Sequence, residues 1–147
     1  VSNLVIHTDG GARGNPGPAA IGVVLEVERD GARETIGEVA ETIGVASNNV
    51  AEYRAIIRAL EAAERLGASS VTCLLDSLLV VEQLNGRYRV KSEDMKPLHA
   101  RVRELAGHFA LVTFQHVRRE QNQEADRLVN LALDGRAAEV EFPLPPA

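Results

Sequence analysis

Residues Leu4 to Pro18, LVIHTDGGARGNPGP, place the tightest constraint on what this chain can become. Leu4-Val5-Ile6-His7-Thr8 is apolar, rich in β-branched side chains and bounded by turn-forming residues, which is the pattern of a short buried strand. The strand delivers Asp9 to its end. A carboxylate there is costly unless it is paired, hydrogen-bonded or bound to a cation. The pattern therefore points to a cation beside Asp9, although an ordinary hairpin loop with an acid cap would use the same residues. From Gly10 to Pro18 the side chains dwindle, so another backbone or a ligand can come close, and Asn15 before Pro16 favours a tight turn.

Burying such a strand takes a full domain, and 147 residues with 45% hydrophobic and 25% charged content provide one. No apolar run has the length of a membrane span, and the N-terminus lacks the basic-then-apolar layout of a signal peptide, so the expected compartment is the cytoplasm. Cys73 lies inside the apolar run Val71 to Leu75 and reads as a buried thiol. His7, His99, His108 and His116 have no zinc-ligand spacing. A net charge of -5 argues against a protein that coats nucleic acid by bulk positive charge. The basic residues are nevertheless concentrated: Arg87, Arg89, Lys91, Lys96, Arg101 and Arg103 face only Glu93 and Asp94 between Gly86 and Arg103. That run is either a solvated helix face or, with Tyr88, a surface that tracks phosphates.

Two further strand-like runs, Ala19 to Arg29 and Ala32 to Glu41, join at Asp30-Gly31, a hairpin dipeptide, and complete an antiparallel meander. Ala46-Ser47-Asn48-Asn49 supplies helix caps, and Glu52, Ile56, Ala59, Leu60, Ala63 and Leu66 recur at helical spacing until Gly67. Glu52 thus heads the stripe that packs on the sheet, or else completes a capping box with Asn49. Val71 to Leu75 is a strand ending at Asp76-Ser77, parallel to the first because a helix separates it from the meander. Asp76 then sits where open α/β sheets hold ligands, unless Asp76-Ser77 only caps the helix Leu78 to Leu84. A helix opens at Lys96-Pro97 and runs to about Gly107, and Ala110 to Val117 is the last strand. After the polar loop Arg118 to Gln121, a helix from Asn122 to Leu133 carries Asp126 one turn in, where it equally suits the helix dipole. The expected division is a domain over residues 1–135 and a proline-containing tail, 136–147, linking to a further domain.

Four acids, Asp9, Glu52, Asp76 and Asp126, thus collect at one end of one sheet. Clustered carboxylates without basic partners call for divalent metal, magnesium or manganese rather than zinc. Two such ions about 4 Å apart activate a water and stabilise the leaving oxygen of an in-line phosphoryl displacement.

The segments TDGGARGNPGP, SNNVAEYRAIIRALEAA, LLDS at Leu74 to Ser77 and NQEADRLVNLAL from Asn122 resemble the motifs of type 1 ribonuclease H, in order and spacing, across Leu4 to Asp134. The resemblance implies an α/β fold, a five-stranded mixed sheet of three antiparallel strands then two parallel, flanked by helices. It implies that Asp9, Glu52, Asp76 and Asp126, with the Gly10 backbone, hold two Mg2+ ions, for which Mn2+ substitutes. The implied reaction cuts the RNA strand of an RNA/DNA hybrid, leaving 5′-phosphate and 3′-hydroxyl ends, and the implied state is a monomer with no membrane partner. Substrate contacts by the same resemblance are Gly11, Ala12, Arg13, Asn15, Ser47, Asn48, Asn49, Tyr88, Arg89, Arg118 and Asn122. Hydrogen bonds to 2′-hydroxyls and base edges in a wide minor groove separate RNA from DNA. Three departures stand out. The loop histidine common before the last acid is absent, with Arg118 as its stand-in; Leu78 replaces a glutamine; and the basic handle is reduced to Arg87-Tyr88-Arg89-Val90-Lys91. The short form with a proline-rich exit resembles the ribonuclease half of actinobacterial bifunctional proteins that carry a phosphatase-like domain. The rival readings are a DNA nuclease of the same fold and a non-catalytic hybrid-binding module.

Overall fold

The computed structural model describes residues 2–145. Strands β1 (Asn3–Ala12), β2 (Gly17–Arg29) and β3 (Ala32–Ala46) form the antiparallel meander. The β2–β3 turn is at Asp30-Gly31, where both residues take positive φ, 54° and 79°, as a tight hairpin turn requires. Helix α1 (Asn48–Arg65) then crosses to β4 (Ser70–Leu75), which pairs parallel to β1. Helices α2 (Leu78–Leu84) and α3 (Lys96–Ala106) lead to β5 (Leu111–His116), parallel to β4, and α4 (Gln123–Leu133) follows a short turn. The five strands run in the order β3-β2-β1-β4-β5, as expected from the sequence.

Two apolar layers hold the sheet. On one face Leu4, Ile6, Val23 and Leu25 pack under Tyr53, Ile56 and Leu60 of α1, with Val102 and Leu105 of α3. On the other, Ala20, Val24 and Ala40 meet Leu128, Val129, Leu131 and Ala132 of α4. Burying each large aliphatic side chain contributes roughly 1.5–3 kcal/mol. The helices that carry Glu52 and Asp126 are thereby pinned to opposite faces of one sheet.

The strands are longer than the sequence suggests. β1 does not stop at Thr8: pairing with β4 ends at His7, but Asp9 to Ala12 continue against Gly22 to Ala19 of β2. Asp9 therefore lies within a strand, just past the point where its parallel neighbour ends. β3 likewise runs beyond Glu41 to Ala46, with irregular register between Ala19 and Ala20 and between Leu25 and Glu26. Past Gly135 the chain returns along β3. The Glu38 N–H donates to the Phe142 carbonyl at 2.6 Å, and the Glu38 carboxylate accepts from the N–H groups of Glu141 and Phe142. Among the described residues no helix is long and apolar enough to cross a membrane.

Candidate active site

Two glycines allow the helices to bring their acids in. An added Cβ on Gly10 would lie 2.2 Å from the Ala51 carbonyl carbon and 2.5 Å from the Glu52 nitrogen, so β1 and α1 touch backbone to backbone. Gly22, opposite Asp9, stands in the same relation to α4, with a Cβ 2.2 Å from the Ala125 oxygen. Side chains at either site would hold the acids apart. With Gly10 bare, its N–H donates to Glu52 Oε1 at 3.0 Å. The N-cap of α1 is Ser47, whose Oγ accepts from the Val50 N–H, so the capping-box reading of Glu52 is replaced by a role inside the cluster. Ser77 caps α2 in the same manner through Val80, leaving Asp76 free of that task.

One carboxylate oxygen from each of Asp9, Glu52 and Asp76 can be chosen so that all lie within 4.8 Å of one another. Asp9 and Glu52 are 8% and 7% exposed. Asp76 is half-buried, while Asp126 is exposed on the rim of the same cleft, a space of about 460 Å3. Burial pushes the Asp9 carboxyl up to about 7; its hydrogen bond with Glu52 works in the opposite sense, and repulsion from Asp76 and Asp126 adds to the rise. Glu52 is raised well above its ordinary range, first by burial and then by the Asp9 charge. Two buried acids that resist ionisation, with Glu52 Oε2 lacking any hydrogen-bond partner among the described residues, form a donor set suited to a hard divalent cation.

The sign of the resulting pH dependence is fixed. A folded carboxyl raised from 3.8 to about 7 binds more protons than the unfolded one. Its stabilising contribution is complete below the unfolded value and is lost as pH rises through the folded one. With chelator present, Asp9→Asn is expected to melt above the parent at pH 8, with the gap narrowing toward pH 4.5. A gap constant across that range in thermal melts would contradict the placement of Asp9.

The remaining residues fall into three groups. Gly11, Ala12, Arg13, Asn48 and Asn49 line the cleft with the acids. Asn48 Oδ1 accepts from the Ala12 N–H at 2.9 Å, and Asn15 Oδ1 from the Asn48 N–H at 3.1 Å, which ties the glycine loop to the start of α1. The side-chain amide nitrogens of Asn48 and Asn15 donate no hydrogen bond among the described residues. Arg13 pairs with Asp134 at 2.8 Å. Asn15, Ser47, Tyr88, Arg89 and Arg118 do not line this cleft; Tyr88 is exposed beyond α2. Asn122 is 1% exposed, and its amide donates to the Thr8 carbonyl inside the protein.

Sequence reasoning missed Arg119 and Asn130, both of which line the cleft. Asn130 follows Asp126 by four residues on α4, a spacing that puts them on one helix face and could have flagged it. Arg119, rather than Arg118, is carried to the cleft by the short 3-10 turn Arg119–Gln121, and no sequence signal separates the two arginines.

Comparison with known proteins agrees with the geometry. The family model described as reverse transcriptase-like matches residues 7–132. The bifunctional protein Rv2228c of Mycobacterium tuberculosis is 42% identical over 144 residues, covering 98% of this chain and 39% of its own length. The structure of its N-terminal RNase H domain superposes with a TM-score of 0.84 at 45% identity, covering 90% of this chain and 99% of that one. RNase H1 of Halobacterium salinarum superposes at 0.85 with 43% identity, over 91% and 99% of the two chains. LC11-RNase H1, solved in complex with an RNA/DNA hybrid, gives 0.83 at 42% identity, over 90% and 97%. The chain thus spans well under half the length of its mycobacterial relative.

Proposed function

Since this chain belongs to the type 1 ribonuclease H family, we propose that it hydrolyses the RNA strand of RNA/DNA hybrids by two-metal-ion catalysis. The observation that carries the proposal is the meeting of Asp9, Glu52 and Asp76 within 4.8 Å in a cleft that also presents Asp126 and the asparagine loop. The complex of LC11-RNase H1 with a hybrid supports the choice of substrate.

Asp9, Glu52, Asp76 and Asp126 are the residues that would hold two Mg2+ ions, with the Gly10 backbone beside them. When bound, these ions supply Lewis acidity toward the phosphate and an activated water. The chain's own groups do the rest. Asn48 and Asn49, with the backbone of Gly11 to Arg13, orient the ribose edge of the hybrid through donors that a DNA strand, lacking the 2′-hydroxyl, would leave unmatched. Arg119 makes no ion pair among the described residues and supplies a fixed positive charge at the cleft for a phosphate. Tyr88 and Arg89, beyond α2, extend the footprint along the DNA strand, and Arg118 precedes the turn that carries Arg119. The active unit in this reading is one monomer. A phosphatase-like domain after the tail belongs to the same reading, supported by the length of the bifunctional mycobacterial relative.

The products test the chemistry. A hybrid carrying internally labelled RNA, incubated with the protein and Mg2+, is expected to give fragments with 5′-phosphate and 3′-hydroxyl ends. A 2′,3′-cyclic phosphate would refute metal-activated water as the nucleophile, 5′-hydroxyl with 3′-phosphate ends would refute the 3′-oxygen as leaving group, and cuts in the DNA strand would favour a DNA nuclease.

A further inference from the structure

An asparagine at the start of a helix ordinarily turns its oxygen inward to accept an N–H of the first turn. Asn122 stands at that place before α4 and makes no such bond. Its side chain instead crosses to the sheet, where Nδ2 donates to the Thr8 carbonyl at 2.9 Å. Thr8 lies just past His7, the last β1 residue paired with β4, and immediately before Asp9. On its other side the Asn122 carbonyl accepts the Asp126 N–H at 3.2 Å, and the Asn122 N–H donates to Arg119 at 3.0 Å. One buried residue thus joins the strand bearing Asp9, the helix bearing Asp126 and the turn bearing Arg119. The arrangement is expensive for the fold alone. The helix forgoes a side-chain cap, and Asn122 Oδ1 stays buried with no partner among the described residues.

We propose that Asn122 is a positioning residue, fixing Asp9 and Asp126 at the separation at which the two can serve the same cation site. It touches neither substrate nor metal. The inference rests on the ribonuclease reading for its kinetic part only, since cation binding is measured without turnover.

The test is Asn122→Leu, which keeps the branched shape in a bulkier side chain and removes both the Nδ2 donor and the orphaned oxygen, with the smaller Asn122→Ala as a second variant. Mn2+ affinity is read by calorimetry, thermal melting in chelator reports the fold, and kcat and KM are measured on a hybrid. Expected are a roughly tenfold or greater loss of Mn2+ affinity and of kcat, KM within about twofold of the parent, and retained cooperative melting. A raised KM with unchanged Mn2+ affinity would overturn the proposal in favour of a substrate contact. Unchanged Mn2+ affinity with only a lowered melting temperature, or loss of folding in both variants, would make Asn122 a fold determinant and overturn it too. If the parent binds Mn2+ but cuts no hybrid, the ribonuclease reading fails while the affinity comparison still decides this one.

Discussion

Replacing Gly10 with alanine is expected to abolish cleavage and to lower stability by about 3 kcal/mol or more, the upper end for forcing atoms into a packed site. The new methyl group would meet the α1 backbone at Ala51 and Glu52 within 2.5 Å, and a helix backbone cannot rotate away as a side-chain end can. Helix α1 must move outward, which breaks the bond from the Gly10 N–H to Glu52 and carries that carboxylate from Asp9. Gly11→Ala is the control. Its Cβ would touch only Val129 Cγ1 at 3.6 Å, ordinary contact, so the melting temperature should stay near that of the parent. Equal destabilisation of the two variants in thermal melts would contradict the close approach of β1 and α1.

Asp9→Asn is expected to reduce cleavage by about 10^3-fold or more, because residues acting as one unit fail together when any is removed. The fold should survive. Asparagine keeps the shape of a side chain that is 8% exposed, and it removes a charge that burial and the neighbouring acids oppose. Divalent ions should raise the melting temperature of the parent at pH 8, by mass action on the native state, and do much less for the variant. Cleavage within tenfold of the parent would remove Asp9 from the catalytic unit.

Much of this site was legible in the sequence because the acids sit at places defined by local patterns. Asp9 follows a β-branched run, Asp76 follows another, and Glu52 falls on the inward stripe of a helix whose caps are plain. Periodicity assigned these elements, and the crossover rule put β4 parallel to β1, so that Asp9 and Asp76 share one end of the sheet. What could not be read depends on partners far apart in the chain. Gly10 and Gly11 look alike in sequence, yet only the first abuts the α1 backbone. Asp9 was expected at a strand's end because glycine usually breaks a strand, but pairing with β2 carries β1 on to Ala12. Asn122 has the sequence place of a helix-start residue, and its amide is used 114 residues away. Arg118 and Arg119 differ only in which of them the turn aims at the cleft.

The central claim is that a metal-binding cluster of acids cuts RNA paired with DNA. The most direct measurement offers the protein three labelled duplexes of one sequence, RNA/DNA, RNA/RNA and DNA/DNA, with Mg2+ and with chelator. Cleavage confined to the RNA strand of the hybrid and lost with chelator is the predicted result. Cleavage of DNA/DNA, or hybrid cleavage that persists in chelator, would contradict it.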